Sequence, residues 1–306
     1  MISGEAFNFR QGTLEGRWSL DTLNSLTKYP SIETYHALGA KGILREFVET
    51  DYPTGERQGI PPLARFVGAV EVTEKVDGTN ARVIVLPDGT LIVGSREELL
   101  WASGDLIANP VLGIVSALRE ADVPLAAQNA LSRPESVTVL YGEVYGYGVG
   151  GAGKRYSADR KGLTGFRVFD AATVPIEHLV WSPEVAANWR QHGGQHWESG
   201  TVVQTTADHL GVQRVPVGRV YGSEELPRTI LDTARWLHLQ APYSRATLAA
   251  PEGKLVAAEG VVLRGFDVAG RRLLAKLRFE DYDRTVRECV KVVEASMKRS
   301  QPADVL

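Results

Sequence analysis

The sequence predicts a mixed α/β fold of the α+β type, in which the sheets are largely antiparallel. Short stretches with the two-residue period of a strand are scattered among stretches with the period of a helix. Residues 82–86 and 90–94 flank a Pro-Asp-Gly turn, which is typical of a β-hairpin. The scattered order and the hairpin argue against a doubly wound parallel sheet, in which strands and helices alternate regularly.

The composition is that of a globular protein with a sizeable core. The chain has 306 residues, of which 43% are hydrophobic and 23% are charged. The net charge of −3 argues against a general affinity for nucleic acid, although a local basic groove is compatible with it. The single Cys289 excludes an internal disulfide framework. No apolar run reaches the roughly 18 residues of a membrane span, and we expect a cytoplasmic protein without a membrane partner.

The elements can be placed in order along the chain. A helix is expected to begin at Ser31, after Tyr29-Pro30, and residues 51–62 are expected to form a loop. The predicted strands are 70–75, 82–86, 90–94, 137–145, 166–169, 260–264 and 273–279. The stretches expected to be helical or loop-like are 109–130, 182–191 and 224–239. A helix is predicted after Phe279, because apolar residues from Tyr282 onward fall on one stripe.

A lysine at a strand end is the sharpest local feature. Residues 74–80 read Glu-Lys-Val-Asp-Gly-Thr-Asn, so that Lys75 is followed by an Asp-Gly turn. A lysine held there can act as a covalent nucleophile, because its neutral amine attacks electrophiles. On these seven residues alone, a solvated lysine beside a tight turn is an equally good interpretation.

Later motifs decide between these interpretations. The segment Lys75-Val-Asp-Gly resembles the nucleophile motif of the covalent nucleotidyltransferases, the superfamily of ATP-dependent DNA and RNA ligases and mRNA capping enzymes. Further motifs of that superfamily follow in the family order, over roughly residues 70–280. These are Ser95-Arg96, Tyr-Gly-Glu-Val-Tyr-Gly at 141–146, Phe-Arg-Val-Phe-Asp at 166–170, Glu-Gly-Val-Val-Leu-Arg at 259–264 and Lys-Leu-Arg at 276–278. The resemblance implies the nucleotidyltransferase fold, with antiparallel sheets flanked by helices and the nucleotide in the groove between them.

Within the superfamily, the motifs are most similar to those of the double-strand-specific phage RNA ligases. Glu74 before the lysine and Thr79-Asn80 after Gly78 resemble the motif of those RNA ligases, whereas DNA ligases typically place an arginine shortly after this glycine. The leader that begins at Tyr29 also resembles their Tyr-x-Ser-hydrophobic-Glu segment. The resemblance implies an ATP-dependent RNA ligase that joins 3′-hydroxyl and 5′-phosphate ends, in RNA repair at nicks or RNA ends. Its expected intermediates are lysyl-AMP and a polynucleotide adenylate. The alternatives are an ATP-dependent DNA ligase and a non-catalytic protein that binds nucleic-acid ends.

The resemblance also assigns the catalytic residues. Lys75 would attack the α-phosphate of ATP, and Lys276 with Arg278 would contact that phosphate. Arg278 stands where the family commonly has lysine, which changes the donor geometry. Glu259 would lie near the lysine and a metal, Mg²⁺ or Mn²⁺, whose ligands the sequence does not assign. Asp77 would orient the nucleophile or the nucleotide.

The remaining assignments concern the nucleotide and the RNA. By resemblance, Glu143 would accept a hydrogen bond from the ribose and Phe169 would stack on adenine. Arg96 would serve the nucleotide or the 5′-phosphate. The other positions of the expected nucleotide site are Glu74, Thr79 and Asn80, and Asn80 would also serve the RNA end.

The expected domain organisation follows from the span of the motifs. Residues 1–65 would be a leader packed on the catalytic domain, residues 66–280 the nucleotidyltransferase core and residues 281–306 a C-terminal helix. About 28 residues follow Arg278, too few for the OB domain of DNA ligases and capping enzymes. How RNA is held, and whether a partner heals its ends, is left open by the sequence.

Overall fold

The computed structural model describes residues 13–14, 18–39, 42–44, 62–102, 105–106, 113–120, 123, 126–127, 131–149, 156–157, 161–240, 242–249 and 255–300. The strands are β1 (Thr13–Leu14), β2 (Trp18–Ser19), β3 (Glu33–Thr34), β4 (Val67–Lys75), β5 (Thr79–Val85), β6 (Leu91–Ser95), β7 (Leu99–Ala102), β8 (Asp105–Leu106), β9 (Ser136–Gly146), β10 (Thr164–Pro175), β11 (His196–Trp197), β12 (Gln213–Arg214), β13 (Val217–Gly222), β14 (Gly260–Phe266) and β15 (Arg272–Arg278). The α-helices are α1 (Leu20–Thr27), α2 (Ile114–Glu120), α3 (Pro183–Gln191), α4 (Gly200–His209), α5 (Ile230–Gln240) and α6 (Phe279–Ser300). The 3₁₀ helices are Ile176–Val180 and Ser223–Glu225.

The chain divides into two compact units that interleave along the sequence. The first comprises residues 1–31, 76–215 and 246–256, and the second comprises residues 32–75, 216–245 and 257–306. The chain passes from the second unit to the first between Lys75 and Val76, inside the motif at 74–80. The leader expected at 1–65 is shared between the units, because it changes unit after Ser31.

The sheet of the first unit is almost entirely antiparallel. Its strand order is β11-β10-β9-β5-β6-β7-β8, and β12 adds a parallel pairing to β10. Apolar side chains occupy alternate positions along the strands and so form one apolar face of the sheet. Apolar residues of α2 and α4 cover this face. The members of this core include Ala81, Val83, Val85, Leu140, Val144, Val168, Ile114, Leu118, Val203 and Ala207.

Within the first unit, helix α1 is joined to the sheet by a buried polar network. The Ser19 hydroxyl accepts a hydrogen bond from the Thr22 N–H at 3.0 Å and so caps the helix. Arg82 is completely buried and donates to the Ser95 carbonyl at 2.8 Å and to the Thr27 hydroxyl at 2.8 Å. Burial lowers the pKa of Arg82 to about 10, so the guanidinium stays charged at neutral pH. The Tyr141 hydroxyl donates to the Thr27 carbonyl at 2.9 Å.

The prediction that a helix begins at Ser31 is wrong. The helix of this region lies earlier, at Leu20–Thr27, and the chain continues into strand β3 at Glu33–Thr34. Ser31 resembles a helix cap in sequence, but the residues after it pair in parallel with β15. Tertiary pairing overrides the local signal here.

The second unit contains the sheet β13-β4-β14-β15-β3. Its pairs are antiparallel except for β15 with β3. One face of this sheet packs against α5 and α6, and its core includes Val70, Val72, Val261, Leu263, Ala275, Leu277, Ile230, Leu237 and Tyr282. Because side chains alternate along a strand, the residues between these core positions lie on the opposite face. That face carries the motif residues described below.

Most predicted elements are confirmed. The seven predicted strands lie within or largely overlap β4, β5, β6, β9, β10, β14 and β15, and the predicted mixed fold with mainly antiparallel sheets is present. The predicted C-terminal helix is present, although it begins at Phe279, which was expected to end the preceding strand. Helices lie in each of the three stretches expected to be helical or loop-like. The expected loop at 51–62 falls outside the described residues, apart from Pro62. In the part of the chain that is described, no helix is long and apolar enough to cross a membrane.

Candidate active site

Three cations of the motif series share one face of the sheet in the second unit. Lys75 at the end of β4 pairs with Gly260 of β14, and Gly260 pairs with Arg278 of β15. Lys276 lies two residues before Arg278 on the same strand and therefore points to the same side. Two strand spacings separate Lys75 from Arg278, a Cα distance of about 10 Å. The expected nucleophile and the two expected phosphate-binding cations are thus brought onto one surface.

Lys75 forms an ion pair with Glu259. The Lys75 Nζ lies 2.5 Å from the Glu259 Oε2, and the two side chains are 27% and 19% exposed. Glu259 comes directly before β14, and its carbonyl accepts a hydrogen bond from the Phe279 N–H at 3.0 Å. The backbone at Glu259 is therefore fixed at the point where β14 begins and β15 ends. The resemblance placed Glu259 near the lysine, and the structure has this contact.

Gly260 keeps the strands of this surface close together. A Cβ atom at this position would lie 1.9 Å from the Leu277 carbonyl oxygen and 2.9 Å from the Arg278 Cα. Both atoms belong to the backbone, which cannot rotate away as a side chain can. Glycine is therefore required between Lys75 and Arg278.

Arg278 is held by Asp281, a residue that sequence reasoning missed. Its Nε donates to Asp281 Oδ2 and its Nη2 donates to Asp281 Oδ1, both at 2.8 Å. The hydrogen bond with Asp281 raises the pKa of Arg278, and the charge of Glu259 adds to this effect. The signal available in sequence was the spacing, because Asp281 lies three residues after Arg278 in the first turn of a predicted helix.

The structure does not bring the Glu74 side chain together with the three cations. Successive strand residues point to opposite faces, so Glu74 lies on the face opposite to Lys75. It is buried, and its carboxylate accepts hydrogen bonds from the Ser244 hydroxyl and from the Arg245 N–H, the latter at 2.8 Å. This carboxylate therefore anchors the segment at 244–245 in the second unit and does not stand among the three cations.

The residues after Lys75 belong to the first unit and pack tightly on β9. A Cβ atom at Gly78 would lie 2.3 Å from the Val144 carbonyl oxygen and 3.0 Å from the Glu143 Cγ. The glycine of the motif therefore lets the turn approach the strand that carries Glu143. The Asp77 N–H donates to the Tyr156 hydroxyl at 2.9 Å, which fixes the backbone of the turn.

Polar side chains form a row across three strands of the first unit. Asn80 of β5 pairs with Glu143 of β9, and Glu143 pairs with Arg167 of β10. All three are partly exposed, on the face opposite to the core that Val144 and Val168 help to form. Asn80 Oδ1 is buried and has no hydrogen-bond partner among the residues that the structure describes. Thr79 begins β5 beside this row.

Phe169 is turned out of the regular strand by a β-bulge. The register of β10 against β9 shifts between Val168 and Asp170, so Phe169 is the extra residue. Bulges commonly redirect a side chain next to a functional site. The ring of Tyr29 meets the ring of Phe169 edge-on at 5.1 Å, and the Tyr29 hydroxyl donates to Asp170 Oδ2 at 2.7 Å. The aromatic ring is partly exposed and also packs against a buried cluster of the same unit, which contains Val76, Tyr145, Tyr156, Val215 and Ala246.

Arg96 lies just after β6 in the first unit. Its side chain is 57% exposed, and its Nη2 donates to the Ser31 hydroxyl at 3.1 Å. It stands 3.5 Å from the Glu97 carboxylate. Arg96 is thus an accessible cation of the first unit.

Comparison with known proteins agrees with the motif series. A family model described as RNA ligase matches residues 68–278. The chain belongs to the RNA ligase family. The matched span contains every site residue predicted from the sequence, from Glu74 to Arg278, whereas Asp281 lies after it. No curated protein is significantly similar to this RNA ligase family member in sequence.

Solved structures of an RNA ligase from Naegleria gruberi are similar to this chain. A variant with ATP and Mn is 17% identical, with a TM-score of 0.47, over 86% of this chain and 63% of the other. The same ligase with pyrophosphate is 16% identical, with a TM-score of 0.46, over 85% of this chain and 64% of the other. The chain thus matches less than two thirds of the length of these structures.

Proposed function

We propose that this chain is an ATP-dependent RNA ligase that joins a 3′-hydroxyl to a 5′-phosphate. The contact between Lys75 and Glu259, on the sheet face that also carries Lys276 and Arg278, is the observation that carries the proposal. It supports the proposal because the ion pair fixes the Lys75 side chain on a surface that also carries two other cations. Membership of the RNA ligase family supports the same chemistry.

In the proposed first step, Lys75 becomes covalently attached to AMP. The Lys75 amine loses a proton to solvent, and Glu259, whose Oε2 lies 2.5 Å from Nζ, holds the amine in position. The amine then forms a P–N bond to the α-phosphorus of ATP, while the bond between that phosphorus and the bridging oxygen of pyrophosphate breaks. Negative charge builds up on the phosphoryl oxygens, and Lys276 and Arg278 are the cations proposed to stabilise it.

A divalent metal fits this site together with the nucleotide. Among the residues that the structure describes, no three carboxylate, imidazole or thiol groups lie close enough to bind a metal by themselves. Mg²⁺ is usually bound by one or two carboxylates and by substrate phosphates. Glu259 is the carboxylate that would serve as protein ligand for Mg²⁺ or Mn²⁺. When bound, the metal would neutralise charge on the phosphates.

The first unit is proposed to recognise the nucleoside. The partly exposed Glu143 carboxylate can accept a hydrogen bond from a ribose hydroxyl, and the ring of Phe169 offers a face for adenine. Asp77, Thr79 and Arg96 are the other polar groups that we assign to the nucleotide or the 5′-phosphate. The nucleotidyltransferase fold inferred from the motifs is part of the same proposal.

Two further steps complete the proposed reaction. An oxygen of the RNA 5′-phosphate forms a bond to the α-phosphorus, and the P–N bond to Lys75 breaks, which gives a polynucleotide adenylate. The 3′-hydroxyl then forms a bond to the 5′-phosphorus, AMP leaves with the bridging oxygen, and the hydroxyl proton is lost. We propose that the break sealed in this way is a nick or an RNA end during RNA repair. The cytoplasmic location stays a prediction from the sequence.

Matched nicks test the RNA specificity. Two duplexes would differ only in the sugars of the two nucleotides before the break, at fixed salt and with enzyme in excess. We expect faster sealing with ribonucleotides, because RNA favours A-form geometry and offers a 2′-hydroxyl. The variant Asn80→Ala should form lysyl-AMP normally but seal slowly. Equal sealing of both nicks, or faster sealing of the DNA nick, would favour a DNA ligase.

The same assay addresses the non-catalytic alternative. An end-binding protein would retain both nicked duplexes in a mobility-shift gel but seal neither, and Lys75→Ala would bind as the wild type does. The proposal requires Lys75→Ala to lose sealing when ATP is the donor. Lys75→Ala should nevertheless seal a nick that has been adenylylated beforehand, because the last step does not use the lysine.

A further inference from the structure

The ion pair of Arg278 with Asp281 uses only one edge of the guanidinium group. Asp281 accepts from Nε and from one N–H of Nη2. The other edge, formed by Nη1 and the second N–H of Nη2, makes no hydrogen bond with any residue in the described part of the chain. The Arg278 side chain is 34% exposed. A second anion with two oxygens can therefore bind the remaining edge in the same plane.

Asp281 is a rigid support. Its side chain is only 3% exposed, and it lies in the first turn of α6, where a negative charge is stabilised by the helix dipole. The Asp281 carbonyl accepts from the Thr285 hydroxyl at 2.7 Å, and that hydroxyl accepts from the Leu44 N–H at 3.0 Å. These hydrogen bonds fix the backbone at Asp281, and burial of the side chain restricts the carboxylate that binds the guanidinium.

Arginine at this position needs such a support more than lysine does. An ammonium group is a compact charge that serves a phosphate from many directions, whereas a guanidinium binds two oxygens only when its plane is aligned with them. Arg278 of β15 pairs with Gly260 of β14, and Gly260 pairs in turn with Lys75 of β4. The oriented edge therefore belongs to the surface that carries Lys75.

We propose that Asp281 is a positioning residue, which orients Arg278 so that its remaining edge binds the α-phosphate of ATP during lysyl-AMP formation. This inference rests on the proposed function. A purely structural ion pair is the competing explanation, because breaking a buried pair destabilises a protein whether or not a substrate is bound. The two explanations differ in what happens when residue 278 is a lysine.

The experiment is a double-mutant cycle on the rate of lysyl-AMP formation. Single-turnover rates with ATP and Mg²⁺ are measured for the wild type, Asp281→Asn, Arg278→Lys and the double variant, over a range of ATP concentrations. We expect Asp281→Asn to lower the maximal rate about tenfold or more in the wild-type background. In the Arg278→Lys background it should change the rate by about twofold or less. The ATP concentration at half-maximal rate should change less than the maximal rate.

Matched controls separate orientation from folding. Glu280→Gln removes the neighbouring acidic side chain, which is 65% exposed and pairs with Arg284, and it should leave the rate unchanged. If Asp281→Asn fails to fold, Asp281→Glu replaces it. This variant keeps the charge but displaces the guanidinium, so it should slow the reaction with Arg278 and spare it with lysine.

The outcomes are distinguishable. An equal loss of rate in both backgrounds would overturn the positioning role and leave the proposed function standing. No loss in the wild-type background would overturn it as well. If the wild type forms no lysyl-AMP, the proposed function fails and the positioning role fails with it.

Discussion

Replacing Gly260 by alanine tests the close packing of the strands that carry the cations. The new Cβ atom would lie 1.9 Å from the Leu277 carbonyl oxygen, where ordinary contacts are 3.4–4 Å. Strands β14 and β15 would have to separate locally by about 1.5 Å, because repulsion at this distance is prohibitive. The separation would occur beside Arg278, whose Cα would lie 2.9 Å from the new Cβ atom.

The cost follows from two effects. Inserting a methyl group into a packed site costs about 1–3 kcal/mol, and each ladder hydrogen bond weakened by the separation costs a further ~1 kcal/mol. We expect Gly260→Ala to lower the free energy of unfolding by about 2–5 kcal/mol. Gly218→Ala is the matched control in the edge strand of the same sheet, because its Cβ would lie 3.2 Å from the nearest atom, the Val72 carbonyl oxygen. Its expected effect is below about 1 kcal/mol.

Urea unfolding followed by tryptophan fluorescence measures both variants, and the rate of lysyl-AMP formation is measured under conditions where both are folded. Gly260→Ala should also form lysyl-AMP slowly, because Glu259 and Arg278 flank the displaced backbone. If Gly260→Ala is as stable as Gly218→Ala, the strands do not pack as closely as described, and the reasoning is refuted.

Three other substitutions make separate predictions. Phe169→Ala should weaken ATP use by the order of 1–3 kcal/mol that stacking contributes, whereas Phe169→Leu should keep substantial activity; equally small effects in titrations of rate against ATP would return this ring to a packing role. Glu74→Ala should cost about 1–3 kcal/mol of unfolding free energy, because it leaves donors of Ser244 and Arg245 without their acceptor, and unchanged urea unfolding would contradict that anchor. Burial lowers the pKa of His36 from 6.5, so the folded state binds fewer protons than the unfolded state and loses stability as the pH falls below 6.5. His36→Gln should flatten this dependence between about pH 7 and 5 in urea titrations, and an unaltered slope would exclude His36 as its source.

The sheet elements were predictable because their signal is local. Branched residues alternate along β4, and a Pro-Asp-Gly turn joins β5 to β6, so that a short window of sequence suffices for each. The spacing of Lys276 and Arg278 likewise implies a shared face before any pairing is known. Periodicity alone does not show which strands contribute residues to one site. The motif series supplied that information.

Other features depend on pairing between distant segments. The side of the sheet on which Glu74 lies follows from alternation, but its partners Ser244 and Arg245 are 170 and 171 residues away. The bulge at Phe169 is defined only by its register against β9. The sequence shows that Asp281 lies three residues after Arg278. The two hydrogen bonds between them depend on the geometry of the junction between β15 and α6, which the sequence does not show.

The covalent attachment of AMP to Lys75 is the central claim of the proposed function, and one measurement tests it directly. The pure protein is incubated with Mg²⁺ and ATP labelled in the α-phosphate, digested, and the labelled peptide is sequenced by mass spectrometry. We expect an acid-labile, alkali-stable adenylyl group on Lys75, released by pyrophosphate and absent from Lys75→Arg. Labelling at another residue, undiminished labelling of Lys75→Arg, or no labelling of the wild type would contradict the account.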